Sequence, residues 1–149
     1  MLYLKGELTK TWCHSGGWTQ ILLNKDLEDV SSLSFSNYED DGFLSLPNQM
    51  LPLSTIQNIA SSGGYELRVE LSDSSGSDHF DSYTSFSLDS ATYIITLGYK
   101  KASSASLAAF DLSTVLSGVQ FEAQSSGCFA AHQVGSWYSP TCEGFALLG

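Results

Sequence analysis

At 149 residues the chain has the size of one domain, able to bury most of the surface its unfolded form would expose. Charged residues make up 15%, against 42% apolar and 12% aromatic, a balance that suits strands and loops better than a helical bundle. Sixteen acidic residues against six basic give a net charge of −10. That charge argues against a phosphate backbone or an anionic membrane as partner, and no run reaches the ~18 apolar residues of a membrane span.

The N-terminus, Met1 to Glu7, has no apolar core of a secretory signal. An extracellular protein with this sequence would have lost its signal or would be part of a longer polypeptide. The acidic clusters Asp26/Glu28/Asp29 and Glu39/Asp40/Asp41 read as solvated surface. Three cysteines, Cys13, Cys128 and Cys142, are an odd number, so one disulfide leaves one thiol over or paired outside the molecule. The favoured pair is Cys128 with Cys142, 14 positions apart, a closure worth roughly 3 kcal/mol in the loop-entropy model.

In sequence order, residues 1 to 12 read as a short hairpin or an edge strand leading into Trp12-Cys13. Gly16-Gly17 then turns the backbone into an apolar strand, Trp18 to Leu23, with Trp18 expected in the core. Asn24 to Phe43 reads as a loop with a short helix that buries Phe35, Tyr38 and Phe43 together. Leu44 to Pro47 is extended before its proline. A short helix follows, with Pro52 in its first turn, Ser54 as a cap and Ile56, Ile59 and Ala60 on one face, stopped by Gly63-Gly64.

The clearest signal comes next. Tyr65, Leu67, Val69 and Leu71 alternate with Glu66, Arg68 and Glu70, the period of a half-buried strand. After a polar turn over residues 72 to 78, an aromatic segment with Phe80, Tyr83 and Phe86 and a β-branched one from Tyr93 to Leu97 complete two or three sequential antiparallel strands. Lys100 to Ser106 reads as a flexible loop, its two lysines a weak anion patch at most. Val119-Gln120-Phe121 alternates like a strand. Residues 127 to 149 have little periodicity and hold two Cys, His132, Trp137 and Tyr138, which suggests an irregular, presented surface.

Catalytic and metal motifs are not evident. His14, His79 and His132 lack the spacing of a zinc site, and Gly16-Gly17 has no following Lys for a phosphate loop. No Gly-x-Ser-x-Gly elbow is present. Residues Asp73 to Thr84 miss the calcium-loop pattern, with Gly76 at the fourth position and Thr84 at the twelfth. No general acid, base and nucleophile constellation points to an enzyme.

Three blocks in order resemble fibrinogen C-terminal-like (fibrinogen-related) domains: Cys13 to Ile21 with its Gly-Gly-Trp-Thr core; Tyr65 to Leu71 followed by Phe80, Tyr83, Phe86 and Tyr93 to Tyr99; and Cys128 to Cys142 enclosing Gly135-Ser136-Trp137-Tyr138. The resemblance implies one α+β domain over residues 1 to 149: a central twisted antiparallel sheet with short helices and an irregular, disulfide-stapled C-terminal subdomain. Within it, 1–24 would hold the N-terminal strands, 25–119 the central sheet and short helices, and 120–149 the binding-loop region.

The resemblance also implies a secreted, non-enzymatic recognition module, binding a glycan or an extracellular protein through Gly127, Cys128, Phe129, His132, Trp137 and Tyr138; no cofactor is expected, because this sequence departs from the family at its calcium site. The family's partner for Cys13 is absent from this sequence, which leaves that cysteine unpaired or intermolecular. Where family members place several Asp before the first loop cysteine, residues 121–127 carry one carboxylate, Glu122, so the calcium site is expected to be missing. The aromatic face of Trp137 and Tyr138 would suit a sugar ring, or these two would fill a small core under the disulfide. A second reading is a structural or assembly domain of a larger extracellular polymer, with Cys13 forming an intermolecular link and no lectin activity.

Overall fold

The computed structural model describes residues 2–5, 13–14, 18–23, 33–45, 48–72, 75–104, 111–123, 127–132 and 135–142. Its centre is the hairpin of β6 (Tyr65–Ser72) and β7 (Asp78–Leu88), paired antiparallel from Tyr65↔Phe86 to Ser72↔Asp78. Alternation places Tyr65, Leu67 and Val69 in the core and leaves Glu66, Arg68 and Glu70 half-exposed on the other face. At the turn end the pattern lapses, and Leu71 is 38% exposed.

On the far side of β6 lie β1 (Leu2–Lys5) and β3 (Trp18–Leu23), with β2 (Cys13–His14) also on β3. Then come β5 (Asn48–Met50) and β4 (Phe43–Ser45). Two short strands, β8 (Ile95–Thr96) and β9 (Lys100–Ser103), pair with different parts of β7. The resulting order is β4-β5-β3-β1-β6-β7-β8, antiparallel at every pairing. The expected α+β sheet is present.

Several local expectations need correction. The first strand is not an edge: β1 sits between β3 and β6. Trp18 is half-buried, not in the core, with the Arg68 guanidinium 6.0 Å from its ring, whereas Ile21 of the same strand is buried. Lys100 to Ser103 forms β9 and is no loop, and its lysines are engaged: Lys100 with the buried Asp81 at 3.1 Å, Lys101 with Glu66. The segment Tyr93 to Leu97 keeps its buried alternation of Tyr93, Ile95 and Leu97, but only two residues pair as a strand. Tyr93 has φ 51°, which breaks the extended backbone, and the Asp89 carboxylate captures the amides of Ala91 and Thr92 in a tight turn.

Helices cover the inner face. A single π-helical turn over Asn37–Asp41 buries Tyr38, with Phe35 half-buried just before it. Helix α1 (Leu53–Ser61) turns Leu53, Ile56 and Ala60 into the core and ends where Gly63 and Gly64 take positive φ of 75°. Ser54 is not its cap: the residue at that position is Pro52, and the Ser54 hydroxyl donates instead to the Glu39 carbonyl at 2.8 Å. Helix α2 (Leu112–Leu116) is capped by Asp111, whose carboxylate accepts from the Ser113 amide at 2.9 Å. Of these elements, the π-helical turn meets the C-terminal segment directly, through Tyr38 and Phe121.

Candidate functional site

The described part of the C-terminal segment contains three short regular elements. Strand β10 (Phe121–Glu122) pairs antiparallel with β11 (Ser136–Trp137), and between them runs α3 (Gly127–His132). A disulfide joins Cys128 of α3 to Cys142, with Cα atoms 5.2 Å apart, so the pairing expected from spacing is present. Cys142 itself has φ 56°, and its amide donates to the Ser139 carbonyl at 2.9 Å. The loop is thus closed by a turn as well as by the bridge.

Its inward side is an aromatic core. Phe121 lies at the centre, its ring centroid 4.9 Å from Trp137, 5.2 Å from Tyr38 and 6.2 Å from Phe35. Edge-on and tilted packing of this kind suits the ring quadrupoles. Phe35 also lies 6.0 Å from Tyr93. Trp137 and Tyr138 are each 2% exposed, and the Trp137 indole N–H donates to the Tyr93 carbonyl at 2.8 Å. Of the two roles open to these residues, the small core is the one the geometry gives them; the fully buried indole offers no face for stacking.

The other sequence-derived candidates divide between the inside and the rim. Cys128 and Phe129 are buried, while Gly127 is exposed. His132 ends α3; its side chain lies outside the described residues, as does that of Cys13, on whose expected unpaired or intermolecular state the structure therefore does not bear. Ala130, Pro140 and Thr141 are exposed around the disulfide, and Cys142 is half-buried. The sequence does not single out those rim positions, because their small or polar side chains give no signal there.

Polar groups tie the loop to the scaffold. The Gly135 amide donates to the Tyr38 hydroxyl oxygen at 3.0 Å, and the Tyr93 hydroxyl donates to Glu39 Oε1 at 2.9 Å. Burial holds the Tyr38 phenol above its usual range, partly offset by the Gly135 amide. Burial and then the Glu39 carboxylate push Tyr93 up to about 12. Glu122 and Ser136 stand opposite each other across β10 and β11, and Glu122 Oε2 and Ser136 Oγ are buried without a hydrogen-bond partner among the described residues.

Among the described residues, no three His, Cys, Asp or Glu side chains stand close enough to share a metal ion. With one carboxylate in 121–127, this segment does not fit the 6–8 oxygen ligands a calcium ion takes. Nor is any described helix long and apolar enough to cross a membrane.

Comparison with known proteins bears on this arrangement directly. Residues 9–148 match the family model of the C-terminal globular domain of the fibrinogen beta and gamma chains. Among solved structures, the fibrinogen-like globe domain of human ANGPTL2 is 27% identical, with a TM-score of 0.67 over 93% of this chain and 70% of that one. The corresponding domain of human ANGPTL6 is 22% identical, with a TM-score of 0.62 over 84% of this chain and 59% of that one. This sequence therefore spans only part of the length of those domains. Among curated proteins there is no match. The antiparallel sheet, the short helices, the C-terminal disulfide and the match over nearly the whole length agree: the chain belongs to the family of fibrinogen C-terminal globular domains, whose members are non-enzymatic binding domains.

Proposed function

We propose that this protein is an extracellular recognition module that binds a protein or glycan partner through the exposed rim of the Cys128–Cys142 loop. Fibrinogen-like domains are generally extracellular and bind extracellular proteins, and the disulfide is consistent with secretion. One observation carries the reading: the loop is packed on its inside, where Cys128, Phe129, Ser136, Trp137, Tyr138 and Ser139 are buried, and presents Gly127, Ala130, Pro140 and Thr141 outward. A surface held in one shape before binding loses little entropy on docking.

Burial of Trp137 and Tyr138 favours a protein partner over a sugar, because ring stacking on a sugar needs an exposed aromatic face. Any ligand contacts come from the rim and from groups such as His132 on the same segment. With one carboxylate in 121–127, binding should not depend on calcium.

The test is a screen of the oxidised protein against a glycan array and a panel of extracellular proteins, with and without chelator, followed by Ala130→Arg and Pro140→Arg. A partner whose binding falls at least tenfold with both rim variants, and is unchanged by chelator and by Ser61→Arg at the end of α1, supports the proposal. A partner bound equally well by both rim variants, or no partner in either screen, overturns it.

A further inference from the structure

We propose that Tyr38 and Tyr93 are the positioning residues of the Cys128–Cys142 loop, clamping its middle while the disulfide holds only its ends, so that the loop keeps its shape when the disulfide is reduced. The proposal rests on the reading of this loop as the binding surface, and it names what gives that surface its form.

The midpoint of the loop in sequence is Gly135, and its amide is held by the Tyr38 hydroxyl at 3.0 Å in a buried setting. Two residues on, Trp137 is held by the Tyr93 carbonyl at 2.8 Å, also buried. Each bond joins segments far apart in sequence, 97 and 44 positions. A buried amide or indole N–H that loses its acceptor is left desolvated and unpaired, so neither bond opens easily while the core is intact.

The two clamps share one base. Tyr38 and Glu39 are neighbours in the π-helical turn, and Glu39 Oε1 accepts from the Tyr93 hydroxyl at 2.9 Å while its carbonyl accepts from Ser54 of α1. Single π turns are rare and recur at functional sites. This one lets consecutive residues reach two different elements. Tyr93 is a bulky residue held at φ 51°, a conformation that persists only where its surroundings impose it. Here those surroundings include its hydroxyl bond to Glu39, its amide bond to the Asp89 carbonyl at 3.1 Å and its carbonyl bond to Trp137.

Pinning the middle divides the loop into two arms of about seven residues, and the disulfide lies at the outer end of both. Reduction then frees the ends of arms that remain anchored at residues 135 and 137.

Hydrogen exchange followed by NMR on the whole protein, oxidised and after thiol reduction, tests this without any ligand. In the unsubstituted protein the Gly135 amide and the Trp137 indole N–H should stay protected after reduction. Tyr38→Phe, which keeps the ring and removes the oxygen, should speed Gly135 exchange about tenfold or more in both redox states, with β6 and β7 amides unchanged. Glu39→Ala should speed exchange of the Trp137 indole, and Glu39→Gln, which retains an acceptor oxygen, should restore it. Loss of protection at both groups on reduction alone overturns the proposal, as does an equal acceleration of β6, β7 and Gly135 by Tyr38→Phe. Because no binding is measured, the clamp can fail while the rim variants still abolish partner binding, and the reverse.

Discussion

At the scale of single residues, the loop depends on a glycine for reasons of space. A Cβ on Gly135 would come within 2.6 and 2.7 Å of Tyr38 Cε2 and Cζ and 3.1 Å of Phe121 Cζ. Neither ring can swing aside: Tyr38 is fully buried and bonded to the Gly135 amide, and Phe121 is packed by three other rings. Gly135→Ala should therefore cost about 1–3 kcal/mol, as other forced insertions into a packed core do. In a urea titration this would appear as a lower midpoint with an unchanged slope. An unchanged midpoint would mean that the π-helical turn yields instead.

At the scale of elements, strand β9 shows how context separates two adjacent lysines. Asp81 is 2% exposed, accepts from the Tyr83 hydroxyl at 3.0 Å through Oδ2, and meets Lys100, whose side chain is 15% exposed. Removing one member of a buried ion pair leaves the other charge uncompensated, so Lys100→Met should cost about 3 kcal/mol or more. Lys101 and Glu66 are 51% and 26% exposed, and Lys101→Met should cost under about 1 kcal/mol. Equal losses in denaturant midpoints for the two variants would show that water reaches Asp81.

The same strand marks what sequence can and cannot reveal. The alternation in β6, the Gly63-Gly64 stop and the spacing of Ile56 and Ala60 are legible because each is set by neighbours within one element. The character of β9 is not: Lys100 and Lys101 look like loop residues until β7 supplies the pairing and Asp81 the countercharge. The interior place of β1 is hidden for a similar reason, since both of its partners, β3 and β6, are distant in sequence. Cys128, Trp137 and Tyr138 can be tied to one loop by their spacing. That Trp137 faces inward depends on Phe121 and Tyr93, and nothing local encodes those contacts.

At the scale of the whole molecule, buried phenols bind the elements together and set an alkaline limit to stability. Tyr38 joins the π-helical turn to the loop, Tyr93 joins that turn to the connection between β7 and β8, and Tyr83 accepts the Leu112 amide at 3.0 Å, joining β7 to the start of α2. All three phenols are raised above their usual range, chiefly by burial; for Tyr83, Asp81 adds to the rise while the Leu112 amide opposes it.

In the unfolded state a tyrosine loses its proton near pH ~10, whereas folded Tyr93 holds it to about 12. Between those values the unfolded state binds fewer protons than the folded one, so stability falls as pH rises. The contribution is complete below pH ~10 and lost as pH climbs through the folded values. Each new phenolate also adds to a net charge already at −10, which works in the same direction. Urea midpoints should therefore decline steeply between about pH 10 and 12. Tyr93→Phe should be less stable at neutral pH, because Glu39 loses a donor, yet decline less steeply across that window. Parallel pH curves for the two proteins would show that the other tyrosines and the net charge, with no share from Tyr93, set the alkaline limit.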